Sequence, residues 1–267
     1  MSVSGSAPGG CLVEAVKWRL FAKDRFLTRS LRQRELLARL EHELRPEQFV
    51  RRPRVALSCG AVLIGLVVLI GLVIPAQPLA IDQRWSEAMS DIPSATLHHL
   101  ALIFNYLGRG LGRALSIAAI GLVLLLGRRW RALLAYAATE ALTPLAVNLL
   151  KHILDRPRPP NAMLHANGSS FPSGHAAYAG ATTVALVLLF TRPGSHRLIW
   201  WSLAALGTAG MAWSRTYLQL HWLSDVVAGA LLGIGVTLVS FALVQLIPPG
   251  SEAMLGRSGA APSGRPA

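Results

Sequence analysis

The sequence predicts an all-α, polytopic membrane helix bundle of about six transmembrane helices, preceded by an amphipathic helical arm. Three observations carry that prediction. Of 267 residues, 52% are hydrophobic and only 15% are charged, whereas soluble domains run nearer a quarter charged. Apolar stretches recur at close to the roughly 20 residues that a bilayer-spanning helix needs. The formal charge of +13 is bunched between those stretches, the pattern of cationic cytoplasmic segments rather than of a nucleic-acid binder. Cys11 and Cys59 provide neither a disulfide framework nor a metal knuckle.

Residues 1–54 form a basic arm that we place in the cytoplasm. Lys17, Arg19, Arg25, Arg29 and Arg32 interleave there with Leu20, Phe21, Leu27 and Leu31. Such spacing suits an amphipathic helix at an anionic membrane face; a solvated extension that acts as a topology signal fits equally well. Spans are expected at 55–74, 111–126, 131–150, 175–190, 198–217 and 224–247. The segment 97–107, with His98, His99 and Asn105, is too short to span and reads as interfacial. Glu140 and Pro144 interrupt the third span, and Gly229, Gly233 and Gly235 in the last one suit close helix packing. The domain of interest is thus 55–247, and the Gly-, Ser- and Pro-rich tail 248–267 reads as disordered.

Orientation follows from the basic loops. Arg51, Arg52 and Arg54 precede the first span, Arg128, Arg129 and Arg131 join the second and third, and Arg192 and Arg197 join the fourth and fifth. All fall on one side, so the positive-inside rule puts both termini in the cytoplasm. Lys151, Arg156 and Arg158 then lie on the opposite, extracytoplasmic side. Their presence there calls for a local anion.

Three segments at that face supply candidates. The pair His221 and Asp225, four residues apart at the start of a helix, can share one face. The carboxylate can then fix an imidazole tautomer that leaves the other nitrogen free to attack. Taken alone, such a pair more simply satisfies itself at a helix end. His175 follows Pro172-Ser173-Gly174 and opens another apolar run. A Ser-Gly turn at a helix start presents backbone N–H groups to a phosphate, and a histidine there can protonate a leaving oxygen; an ordinary cap is the plainer reading. Lys151, Arg158 and Arg215 are cations at helix ends with few acids nearby, Asp155 and Asp225. Singly, each can snorkel to headgroups. Together with two histidines and a Ser-Gly turn, they point to an oxyanion site.

These segments resemble the signature of the type 2 phosphatidic acid phosphatase (PAP2) superfamily: Lys-x6-Arg-Pro, Pro-Ser-Gly-His and Ser-Arg-x5-His-x3-Asp. The matches run Lys151 to Pro159, Pro172 to His175 and Ser214 to Asp225, with every fixed position met. The resemblance implies a membrane enzyme that hydrolyses the terminal phosphate of a lipid phosphate or diphosphate, such as undecaprenyl diphosphate, phosphatidic acid or phosphatidylglycerophosphate. It implies His221 as the nucleophile that forms a phosphohistidine, Asp225 as its orienter and His175 as the acid and later base. Lys151, Arg158, Ser173, Gly174 and Arg215 would cradle the phosphoryl oxygens. No metal or other cofactor is implied, and the implied partners are the lipid substrate and the bilayer. A transporter or flippase that only binds phosphate headgroups is the alternative, but no repeat relates the halves of the chain, and such a protein has no need of a His-Asp pair plus a second histidine. Vanadium haloperoxidases share this type of anion pocket but are soluble.

Overall fold

Alternating apolar runs and charged turns fold into helices only. The computed structural model describes residues 48–191 and 197–248, so the expected amphipathic arm, the tail and Arg192 lie outside the described residues. Among the described residues there are eight helices: α1 (Pro53–Val73), α2 (Ala80–Ser90), α3 (Ala95–Leu107), α4 (Gly110–Leu126), α5 (Trp130–Ile153), α6 (Gly174–Phe190), α7 (Arg197–Tyr217) and α8 (Leu223–Leu246). All six expected spans are helical within a few residues of the expected limits. By length and composition, however, only α1, α5 and α8 suffice to cross a membrane alone, or four spans if α3 and α4 are taken as one bent crossing.

Helix α6 is the inner helix, packed by α5, α7 and α8, with most of its residues buried and only 17 residues in length. Its backbone is satisfied within the helix and its sides are covered by protein rather than lipid. The segment expected to be interfacial is instead the helix α3, which turns by 57° into α4. Gly108 sits at that bend because a Cβ there would come within 2.5 Å of the His175 ring, and Gly110 has a φ of +55°. Helix α2, in the stretch between the first span and the segment 97–107, carries Trp85, Ser86 and Asp82 toward the α7–α8 turn.

Small residues set the spacing of α8. A Cβ on Gly60 would lie 2.7 Å from the Gly235 carbonyl, one on Gly180 2.6 Å from the Ala230 carbonyl, and one on Gly233 closer still to the Ala177 carbonyl. Backbones therefore touch where side chains would hold them apart, as expected of helices packed in lipid. Outward faces are apolar: Leu72, Leu126 and Leu206 are all exposed. Helix α5 runs as one element through Pro144, and Glu140, buried at its middle, accepts from Thr182 Oγ1 at 3.1 Å.

The two ends of the bundle differ in chemistry. At one end Arg131 donates to the carbonyls of Val244 and Ile247 at the C-terminus of α8, and Arg197 donates to Phe49. Cations suit the negative end of a helix dipole. At the other end lie the C-termini of α5 and α7 and the N-termini of α6 and α8, held by one buried arginine. Arg156 Nη1 donates to Asp225 Oδ1 at 2.5 Å and to Ser224 Oγ at 2.8 Å, while Nη2 donates to Asp82 Oδ2 at 2.8 Å. Asp82 also accepts from the backbone N–H of Ser224 and of Leu79. The three charged side chains are 3% exposed or less.

Removing Arg156 leaves two uncompensated carboxylates in the interior. Arg156→Ala should therefore cost about 3–5 kcal/mol of folded stability, read as a fall in thermal midpoint in detergent. Arg156→Lys should recover only part of it, because an ammonium does not reproduce the two-pronged fork. An unchanged midpoint in Arg156→Ala overturns this assignment.

Candidate active site

The three sequence segments converge at the arginine-braced end of the bundle. The stretch that follows α7 is clamped from several sides. Gln219, at φ +54°, donates through Nε2 to Ser86 O and Ser90 Oγ and accepts from Ser86 Oγ. Tyr217 Oη donates to Ile92 O and Ser94 O, and Trp222 Nε1 donates to Pro157 O at 2.9 Å. His221 is held between these anchors and is buried.

Asp225 occupies the first turn of α8. Its Oδ2 accepts the backbone N–H of Trp222 at 2.9 Å and lies 3.6 Å from His221 Nδ1. That separation is longer than a hydrogen bond, so the carboxylate acts on the ring through charge, in an arrangement that can tighten when a ligand is bound. The opposite nitrogen, Nε2, faces Arg158 Nη1 at 3.3 Å. Burial, the largest influence, lowers the His221 pKa from 6.5 to about 4; Asp225 opposes this, and Lys151 and Arg158 reinforce it. The imidazole is thus neutral at pH 7, with an open lone pair directed at a guanidinium.

Arg158 is fixed by backbone carbonyls: Leu220 at 2.8 Å, Gly168 at 3.1 Å, and Asn167 and Ser169 at 3.2 Å. Lys151 Nζ, at the end of α5, donates to the same Ser169 carbonyl. Arg215 is buried near the end of α7, where Nη1 donates to Asn105 Oδ1 at 2.8 Å and Nε to Ser214 Oγ.

The Ser173–Gly174–His175 turn opens α6. The Ser173 N–H donates to the Asp225 carbonyl at 3.0 Å, and Gly229 on α8 admits the turn because a Cβ there would stand 2.3 Å from the Ser173 carbonyl. His175 lies within coulombic reach of Arg215, His221 and Arg109, so both histidine rings belong to one end of the bundle. Ser173 Oγ, His175 Nε2 and Arg215 Nη2 are buried and lack any hydrogen-bond partner. Buried polar groups are normally paired. Three unpaired groups in one neighbourhood describe a place for an oxyanion.

All eight residues singled out from sequence therefore gather at this end. Of the two acids expected near the cations, Asp225 is buried among them, whereas Asp155 is exposed and forms no ion pair among the described residues. The other acid buried at this end is Asp82, which lies 74 residues before Arg156 in the chain and belongs to no motif. No motif gives Asn105 or Arg156 a role; in the sequence Asn105 stands only in the interfacial segment, and Arg156 only among the three cations on the extracytoplasmic side.

Residues 130–248 match the family model of the PAP2 superfamily. An undecaprenyl-diphosphatase of Sulfolobus acidocaldarius is 40% identical over 78 residues, covering 29% of this chain and 33% of the relative. A non-specific acid phosphatase of Salmonella typhimurium is 41% identical over 100 residues, 38% of this chain and 35% of the relative. The chain thus spans about a third of the length of these curated relatives. Among solved structures, a transmembrane PAP2-type phosphatidylglycerolphosphate phosphatase from Bacillus subtilis superposes with a TM-score of 0.58 at 25% identity, covering 74% of this chain and 98% of that one. Aquifex aeolicus LpxE superposes with a TM-score of 0.51 at 23% identity, covering 61% and 95%. Residues 130–248 thus match the PAP2 superfamily, and the helical bundle is similar to that of a transmembrane PAP2-type phosphatase.

Proposed function

We propose that the chain is a membrane phosphatase that removes the terminal phosphate from a lipid phosphate or diphosphate. The observation that carries this reading is the neutral His221 beside three unpartnered donors and three cations. His221 Nε2 attacks phosphorus, and Asp225 holds Nδ1 and stabilises the imidazolium character that develops. Arg158, Arg215 and Lys151, with Ser173 Oγ and the Gly174 N–H, receive the non-bridging oxygens. Charge stabilisation and positioning supply most of the barrier reduction in phosphoryl transfer. His175 protonates the leaving oxygen, then takes a proton from the water that hydrolyses the phosphohistidine. The protein's own cations stand where a divalent ion would act, so activity should survive EDTA.

The named activities of the relatives, an undecaprenyl-diphosphatase and a phosphatidylglycerolphosphate phosphatase, agree with a lipid phosphate as substrate. The basic end, with Arg51, Arg52, Arg54, Arg128, Arg129 and Arg131, lies at the cytoplasm under the positive-inside rule. The catalytic end then faces the opposite leaflet. A headgroup-binding transporter would need neither the neutral nucleophile nor the second histidine.

Purified protein in detergent should release phosphate from at least one of farnesyl diphosphate, phosphatidic acid and phosphatidylglycerophosphate. His221→Ala should lower kcat by at least about 10³-fold, and a wild-type protein inactive on all three refutes the proposal. Imidazole titration of the free protein by ¹⁵N NMR should place the His221 midpoint near 4 rather than 6.5. The sign follows from that lowering: the nucleophile stays neutral above about pH 4. As pH falls from 6.5 toward 4, the unfolded chain takes up this proton first and folded stability declines. Gly229→Ala, which pushes on the Ser173 carbonyl, should reduce kcat/KM by about 10-fold or more while the protein still folds in detergent; unchanged turnover would show that the turn has room to yield.

A further inference from the structure

A cavity of about 290 Å³ adjoins the site on the His175 side. Gly174 and His175 form one wall, and Lys151, Arg109, Arg113 and Tyr178 are among its other lining residues. None of the described lining residues is an acid. Arg109 and Arg113 stand outside every PAP2 segment quoted above and have no part in the transfer step as described.

The two arginines arrive by way of the α3–α4 bend. Arg109 occupies the break itself and Arg113 the first turn of α4. Among the described residues the Arg109 side chain makes no hydrogen bond or ion pair, yet it lies within coulombic reach of both His175 and Arg215. Arg113 stacks over the Tyr178 ring at 4.8 Å and approaches Glu140 Oε2 only to 3.8 Å. Three cations facing one cavity at the edge of a membrane domain repel each other and are costly without an anion.

The direction of the reaction tells which anion. Attack from His221 places the leaving oxygen toward His175, so whatever remains bonded to that oxygen extends past His175 into this cavity. A neutral diacylglycerol there would leave Arg109 unmatched and Arg113 with only its distant pairing to Glu140. A phosphate monoester matches them.

We propose that Arg109 and Arg113, with Lys151 at the shared wall, form a subsite for the leaving-group phosphate, which makes a lipid diphosphate the preferred substrate. The inference rests on the phosphatase reading above and specifies its substrate class. In the step itself the His221 Nε2–P bond forms as the bond from the terminal phosphorus to the bridging oxygen breaks. The bridging oxygen receives a proton from His175 and departs as lipid monophosphate. Water then forms the new P–O bond, the N–P bond breaks, His175 regains a proton, and orthophosphate leaves. Arg109 and Arg113 neutralise charge that gathers on the departing phosphate, so they contribute to transfer from a diphosphate and have no equivalent task for phosphatidic acid.

The test measures kcat/KM on farnesyl diphosphate and on phosphatidic acid for wild type, Arg109→Gln, Arg109→Lys and Arg113→Gln in detergent. The diphosphate-to-monophosphate ratio should favour diphosphate in wild type and fall at least tenfold in each Gln variant, with partial recovery in Arg109→Lys. Product inhibition by farnesyl monophosphate should weaken in parallel. Arg113→Gln also frees Glu140, so Arg109→Gln, which breaks no contact, is the decisive variant. A ratio in Arg109→Gln within about twofold of wild type, whether both activities fall together or neither falls, overturns the subsite and leaves the phosphatase reading intact. A wild-type protein inactive on every lipid defeats that reading itself.

Discussion

The catalytic end depends on one buried guanidinium that satisfies two carboxylates. On the proposed mechanism Asp225 must stay charged and in place to orient His221, and it sits fully buried in the first turn of α8. A lone buried carboxylate is strongly disfavoured. Arg156 resolves this by pairing with Asp225 on one prong and Asp82 on the other, and Ser224 closes the network with bonds to both charged partners. The consequence is architectural as well as electrostatic. Helix α2, the segment after α5 and the start of α8 cannot part without breaking ion pairs in a region that excludes water. The Ser173 N–H bonded to the Asp225 carbonyl extends the same constraint to the Ser173–Gly174 turn that opens α6.

Close backbone packing supplies the complementary constraint. The α6 turn can reach Asp225 only because Gly229 lacks a side chain, and α8 can lie against α1 and α6 only because Gly60, Gly233, Gly235 and Gly180 do. Such contacts gain dispersion at close range where lipid tails offer no hydrophobic contrast. They also leave the inner helix α6 thoroughly covered by protein.

Helix positions and the eight residues gathered at the site were legible because each leaves a local mark: a long apolar run, a histidine after Ser-Gly, a carboxylate four residues past an imidazole. What stayed hidden lacks such a mark. Asp82 lies in a short helix of mixed polarity, Asn105 in a 13-residue one, and both act on arginines far along the chain. A single sequence reports the period of a helix, but not which distant arginine meets its one polar residue. Asp155 shows the converse error: adjacent to the motif cations in sequence, it points away from them, because Arg156 turns inward from an extended segment and its neighbour then faces out. The bend at Gly108 was missed for a related reason, since the steric demand that requires glycine there comes from His175, 67 positions later in the chain.

The α3–α4 bend joins the two halves of the proposed reaction. A straight continuation of α3 into α4 would leave Asn105 on a membrane-spanning rod. The 57° turn instead brings Asn105 against Arg215 on one side of the break and Arg109 toward His175 on the other. The same few residues thereby hold Arg215, a cation of the proposed phosphate cradle, and supply Arg109 to the cavity beside His175. A Cβ on Gly108 would meet the His175 ring, so a shift of the α3–α4 break bears on His175, Arg109 and the cavity together. On the proposed reading, selectivity for what leaves is then tied to the histidine that protonates it, through backbone rather than through any charged pair.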